Sequence, residues 1–494
     1  MAATDLTSAA RRKLLEQYLH AAPKRPHPAP LAIPRRASDG PAPLSYGQEQ
    51  VWLHNQMAPG VMLYNEPVTI LYRGPLDPAV LERSFNEILR RHEAWRTSIR
   101  EIDGRPMQFV EPNAVIAIAV DDLRHLPRDR REPEAIRLAT EDARRPFDPT
   151  RAPLLRARLV TLDRDDHRLY LALCHIIFDG VAMYRVFLPE LAALCEAYSK
   201  GAPSPLPELT IQYPDFACWQ QREAEAEANA RHLAYWRKQL SGAPAVCDLP
   251  LDRPRPAVQT FRGAMYPFGL DNRLTEAVRS ASVREKASPF HLLLAAFAAL
   301  LHRYSGQDDY SIGTVTGGRE GPQMNALLGY FITTVVLRLD FSGGLTFREL
   351  MAQVRRVTLE ALEHDGVPFR KVIEELHPKR DPSYNPLFQV MFTLEPPMPE
   401  LPPGWDLSQK DVDTGATKYD LYLETDERRD AIMARFHYAT DLFDESTVAR
   451  MAANWLAFVE SAVADPGTRI ADLPFLAEEA QPDREAHLEE LFDF

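Results

Sequence analysis

A chain of 494 residues, 45% hydrophobic, is long enough to bury a large core and is expected to divide into two or three domains, with two lobes of similar size. The net charge of −13 and the pI near 5.6 exclude a basic nucleic-acid face; the Lys/Arg-rich pieces near Arg11 and Arg130 are short. No apolar run is long enough to span a bilayer, and the opening MAATDLTSAARRKLLEQYLH is too polar for a secretory signal. The expectation is a cytoplasmic protein without a membrane partner. Cys174, Cys195, Cys218 and Cys247 lack metal-ligand spacing and are expected to be reduced thiols, and no Walker lysine loop, dinucleotide glycine fingerprint or HExxH asks for a nucleotide or a metal.

Taken in order, residues 6–20 place leucines at helical spacing around Arg11, Arg12 and Lys13, which predicts a short amphipathic helix. A proline-rich linker follows, and residues 1–43 form a first segment suited to docking. The folded body starts near Leu44 with LSYGQEQVWLHNQMAPGVMLYNEP. Residues 79–92 read as a helix leading into a strand, with Arg91, His92, Glu93 and Arg96 crowding the boundary. Strand patterns follow at 108–122 and 154–162, and a helix at 133–145.

The alternation of Leu169, Leu171 and Leu173 with Tyr170, Ala172 and Cys174 predicts a strand ending at His175. Asp179 and Gly180 mark a turn, and VAMYRVFLPELAALCEAYSK is spaced as a helix that Pro189 bends or restarts. A lone histidine at a strand end is most often a satisfied structural residue; here an aspartate and a glycine close by place the candidate chemistry at His175. Beyond YPDFACW (213–219), a charged helix spans 220–240, LDRPRPAVQTFRG reads as a loop and 289–304 as a strongly apolar helix.

Residues 174–180, CHIIFDG, resemble the HHxxxDG motif of the condensation domains of nonribosomal peptide synthetases, with Cys174 in place of the first histidine. The blocks around it are similar to that family in order. SYGQEQVW resembles SxAQxRxW with Gly47 and Gln50 as departures, and RHEAWRT resembles RHExLRT with Trp95 in the leucine position. YPDFACW resembles YxDFAxW, and GYFITT resembles GxFVNT with Thr333 in place of asparagine. EHDGVPFRKVIEEL resembles HQDxPFExLVExL with Gly366 as a departure, and RDPSYNPLFQVMF is nearly the family's RDxSRNPLFQVMF.

The resemblance implies an α/β fold of two chloramphenicol-acetyltransferase-like lobes in a V-shaped pseudo-dimer, with a central tunnel. The N-terminal lobe is expected over 44–212, the C-terminal lobe over 213–480, and an acidic tail suited to docking over 481–494. It implies acyl transfer from a carrier-bound thioester to an amine or hydroxyl acceptor, with His175 catalytic. No cofactor is expected to be bound permanently; the phosphopantetheine arm comes with an acyl or peptidyl carrier protein acting in trans. Asp179 is expected to be structural, paired with Arg96 or failing it Arg91, because a buried carboxylate without a partner costs several kcal/mol. Cys174, Gly180, Tyr330 and Thr333 are the expected tunnel or substrate-contact residues, although strand alternation turns Cys174 away if His175 faces the tunnel. With no adenylation motif and no carrier segment in the sequence, a free-standing enzyme is expected, and LYNEPVTILYRGPLD resembles condensation domains of hybrid polyketide/peptide assembly lines, which implies that setting, ester-forming chain release included. The rivals are a catalytically silent recruitment module and an acyl-CoA-dependent acyltransferase of the same superfamily. Epimerisation domains differ in their later blocks, and heterocyclising domains carry DxxxxD instead.

Overall fold

The computed structural model describes residues 33–223, 228–319, 321–395, 401–407, 412–428 and 431–476. The helix expected at 6–20, most of the proline-rich linker and the acidic tail lie outside these residues.

Two mixed α/β halves form the body. The first is built on a five-stranded sheet in the spatial order Trp405–Leu407, Asn65–Arg73, Asp166–Cys174, Leu155–Asp163, Ala119–Asp122. Period-two burial explains its two faces. Tyr170 and Ala172 meet Val160, Leu162 and the helix Arg128–Ala143 on one side. Leu169, Leu171 and Leu173 join Phe85, Trp95 and Phe187 in the larger core on the other, beneath the helices Pro78–Arg91 and Leu188–Ser199. The stretch read as a strand over 108–122 is two strands, Arg105–Val110 and Ala119–Asp122, and the first of these belongs to a small separate sheet with Thr97–Ile102 and Ala42–Pro43.

The second half carries a six-stranded sheet in the order Thr333–Asp340, Asp309–Thr316, Val390–Glu395, Leu421–Glu427, Ile432–Ala439, Gly263–Leu270. The apolar helix predicted at 289–304 is Pro289–Ser305. Ser288 caps its start, proline at its first turn loses no intrahelical bond, and Gly306 at φ 68° ends it. Its Phe297 packs with Phe392, Phe436 and Trp455 in the core of this half.

Two pieces of the second half cross back. The segment around 322–331 buries Met324, Leu327, Leu328, Tyr330 and Phe331 in the first half's core. Trp405–Leu407 pairs antiparallel with Tyr72, Leu71 and Ile70, covering the outer edge of the first sheet. Of the YPDFACW aromatics, Tyr213 and Phe216 are buried in the first half's core, and the Tyr213 hydroxyl bonds to Ser45 Oγ (2.7 Å) and to the Tyr330 carbonyl, tying the crossing segment down.

Candidate active site

His175 follows directly on the strand Asp166–Cys174, whose pairing with Asn65–Arg73 sets Glu66 opposite Leu173. Its backbone N–H donates to the Tyr64 carbonyl at 2.8 Å. A short 3₁₀ turn, His175–Ile177, carries the chain to Phe178, whose carbonyl lies 2.8 Å from His175 Nδ1. A carbonyl only accepts, so Nδ1 carries the hydrogen and Nε2 is left as a lone pair in the neutral ring. Phe178 stacks on the imidazole with centroids 5.1 Å apart, and Tyr330 meets the ring edge-on at 5.0 Å. Burial pushes the His175 pKa below 6.5; Glu66 opposes that shift and Lys418 adds to it.

A cavity of about 1400 Å³ runs between the two halves and takes in His175. The first half contributes Tyr64, Glu66, Phe178, Gly180 and Tyr184, and the second Thr316, Tyr330, Thr334, Glu395, Lys418 and Tyr419. Gly180 lies directly against Glu395: a Cβ on Gly180 would stand 2.9 Å from Glu395 Oε2. The Glu395 carboxyl is pushed up to about 8, first by desolvation and then by Glu424, Asp426, Asp179 and Glu66.

Asp179 is fully buried, and its partner is neither Arg96 nor Arg91. Arg319 Nη2 reaches both carboxylate oxygens at 3.0 Å, while the N–H groups of Phe331 (3.0 Å) and Ala182 (2.8 Å) donate to Oδ2 and Oδ1. The sequence expectation fails because the carboxylate faces the crossing segment from the second half, whereas Arg96 lies beside Glu93 (3.7 Å) and the Glu111 carbonyl (3.4 Å). Arg91 is held by Glu190 and the Pro207 carbonyl. The charged boundary at 91–96 is therefore a network of its own. Arg319 also donates to the carbonyls of Met324 and Leu327 and lies 4.1 Å over the Phe331 ring, so one guanidinium fixes the segment that brings Tyr330 to His175.

The proline expected to disturb the helix does so. A π turn, Met183–Phe187, precedes the helix that begins at Leu188 with Pro189 in its first turn, relieving the clash proline makes with the carbonyl one turn back.

Cys174 and Thr333 do not line the cavity; their neighbours His175, Ile332 and Thr334 do. Both sit in extended chain, where adjacent side chains point to opposite faces. Cys174 is buried in the first half's core, and desolvation pushes its thiol up to about 11. Tyr330 and Gly180 line the cavity. The departure at Gly47 also has a cause: a Cβ there would lie 2.5 Å from the Tyr330 ring. Arg319, Glu66, Lys418 and Glu395 were not legible as site residues. Each is an isolated charge in a loop or alternating strand, a pattern shared with solvated faces. Among the described residues no group of three or more His, Cys, Asp or Glu side chains can hold a metal ion, and no helix is long and apolar enough to cross a membrane.

Two mixed α/β halves clasp a cavity, with one histidine presented from the end of a strand beside a buried aspartate, the architecture of a two-lobed condensation-type domain. The condensation domain model matches residues 38–483, and the chain belongs to that family, which forms the amide or ester bond between carrier-bound substrates in nonribosomal peptide synthesis and includes catalytically inactive members. It is 40% identical over 439 residues to chondramide synthase cmdD of Chondromyces crocatus, covering 88% of this chain and 11% of that protein. It is 38% identical over 492 residues to phosphinothricin tripeptide synthetase PhsC of Streptomyces viridochromogenes, covering 97% of this chain and 44% of that protein. The chain thus spans less than half the length of these relatives. Among solved structures it is similar to the X-domain from teicoplanin biosynthesis (TM-score 0.77, 30% identity, 91% of this chain and 100% of that one). It is also similar to the SgcC5 protein of Streptomyces globisporus (TM-score 0.75, 28% identity, 86% of this chain and 100% of that one).

Proposed function

We propose that this chain transfers an acyl group from a carrier-protein-bound thioester to an amine or hydroxyl acceptor, in nonribosomal peptide or hybrid polyketide biosynthesis, with chain release among its uses. The observation that carries this reading is the Nδ1-protonated imidazole of His175, which turns its Nε2 lone pair toward a cavity large enough for two converging substrates. The acceptor loses a proton as it attacks the thioester carbonyl, and a neutral imidazole can take that proton or orient the nucleophile. Burial keeps His175 neutral at pH 7, in the form this role requires. Holding thioester and nucleophile together in one enclosed space contributes up to roughly 7–11 kcal/mol in well-oriented systems.

Of the amides at the helix start, the Ala182 N–H is taken by Asp179. The donors to a developing oxyanion are therefore assigned to the Gly180 and Val181 end of the turn, where the lack of a side chain at Gly180 admits a pantetheine arm. The donor arrives on a carrier protein in trans, and the two termini are assigned to docking. The test is mass-spectrometric detection of acyl transfer from a loaded carrier protein to a panel of amines and alcohols; a folded protein that transfers to none of them refutes the reading.

A second reading is a silent recruitment module. It draws on the solved complex of the teicoplanin X-domain with OxyB, a neighbour 29% identical to this chain, and on the loss of the first motif histidine to Cys174. The Nε2 lone pair in the cavity favours the enzyme.

A further inference from the structure

We propose that Glu66 is the second half of the acceptor site, forming with His175 Nε2 a pair of hydrogen-bond acceptors that a primary amine satisfies and a hydroxyl does not. The inference rests on the acyl-transfer reading above and chooses between its two acceptor classes.

Glu66 lines the cavity beside the histidine, with Oε1 3.9 Å from Nε2. Among the described residues the nearest cation, Lys418 Nζ, stands 3.7 Å from the same oxygen and 4.2 Å over the Tyr64 ring, outside hydrogen-bond reach of the carboxylate. No described residue donates a hydrogen bond to either Glu66 oxygen. The wall beside the catalytic nitrogen thus presents two acceptors that no described residue hydrogen-bonds, with the Lys418 ammonium standing off at 3.7 Å.

Two acceptors 3.9 Å apart can be bridged by one nitrogen placed at about 3 Å from each. A primary amine has two hydrogens and its ammonium form three, so it donates to both; a hydroxyl has one and leaves either the imidazole or the carboxylate without a partner. A site that hydrogen-bonds one functional group disfavours the analogue lacking it, here by leaving either the buried imidazole or a half-buried carboxylate, 37% exposed, without its partner. In the transfer step the nitrogen lone pair forms the bond to the thioester carbonyl carbon. The amine hydrogen facing Nε2 passes to the imidazole, and the C–S bonding pair leaves with sulfur, which takes that proton from His175. The remaining N–H still donates to Glu66 and becomes the amide N–H of the product.

The test uses the full chain and two probes that differ by one group, alanyl-pantetheinamide and lactyl-pantetheinamide, titrated by NMR or calorimetry at pH 7. The wild type is expected to bind the amine at least tenfold more tightly than the hydroxyl. Glu66→Leu removes both oxygens and should abolish that preference while leaving the hydroxyl probe within threefold. Glu66→Gln keeps one acceptor oxygen and should restore part of the preference, which a merely structural defect would not do. Equal wild-type affinities, a preference that survives Glu66→Leu, or equal losses for both probes would overturn the role of Glu66 while the acyl-transfer reading stands. Binding of neither probe by the wild type would bring down both.

Discussion

Replacing Arg319 with methionine is the sharpest test of how the site is held. The substitution keeps an unbranched apolar side chain but removes the guanidinium that lies over Phe331 and faces a fully buried carboxylate. Asp179 then retains two N–H donors, from Phe331 and Ala182, against the desolvation of a whole negative charge, and the carbonyls of Met324 and Leu327 lose their guanidinium donor. Removing one member of a buried ion pair costs about 3–5 kcal/mol, and that is the expected loss in urea unfolding followed by circular dichroism. Arg319→Lys should fall between, since it keeps the charge and loses the planar fork. In a double-mutant cycle, Asp179→Asn with Arg319→Met should lose at least about 1 kcal/mol less than the two single changes added together. Acyl transfer should fall as well, because the segment being loosened carries Tyr330 to the edge of His175. If Arg319→Met unfolds within about 1 kcal/mol of wild type, or the cycle is additive, the pair does not hold the segment and the assignment is wrong.

His175→Ala should unfold as the wild type does yet transfer no acyl group; activity within tenfold of wild type, read by intact-protein mass spectrometry of the carrier, would remove the histidine from the chemistry. Cys174→Ala and Cys174→Ser should both keep most of the activity, and no acyl adduct should form on Cys174 in a single turnover, since its thiol is pushed up to about 11 and faces the core. Glu395 has its folded pKa raised to about 8 from 4.5, so the native state binds more protons than the unfolded chain between those values and stability falls as pH rises through that window. Glu395→Gln should therefore gain on wild type between pH 5 and pH 8, by a few kcal/mol at the upper end, and parallel stability curves would show that the carboxyl is not buried as described. Gly47→Ala should cost about 1–3 kcal/mol and displace the Tyr330 ring, lowering turnover more than the thermal midpoint alone suggests.

The histidine was legible because its strand announces itself. Alternating leucines end at His175, and an aspartate and glycine then mark a turn, so local pattern and site coincide. The apolar helix Pro289–Ser305 was legible for the same reason, with cap, proline and terminal glycine all inside a short window. The partner of Asp179 was not. Arg96 was the reasonable choice from a crowded boundary, but buried charges pair by tertiary placement, and Arg319 lies 140 residues away in a loop with no periodicity. Glu66 was hidden by its strand: one acidic residue at an alternating position reads as a solvated face until the opposite half closes over it. Thr333 was drawn into the site by its motif block, while the pleat turns it away from the cavity, as the alternation of its own strand also turns Cys174.

The order of synthesis gives the crossing segments a further meaning. At roughly 5–20 residues per second, the 140 residues between Asp179 and Arg319 take the ribosome roughly 7–28 s. During that interval the nascent first half holds a carboxylate without its counter-ion, and it waits longer still for Trp405–Leu407 to cover the open edge of Asn65–Arg73. The half made first is completed by the half made last. A nascent chain stalled between the two halves would therefore display both the histidine and a bare strand edge, making it a target for chaperones until the second half arrives.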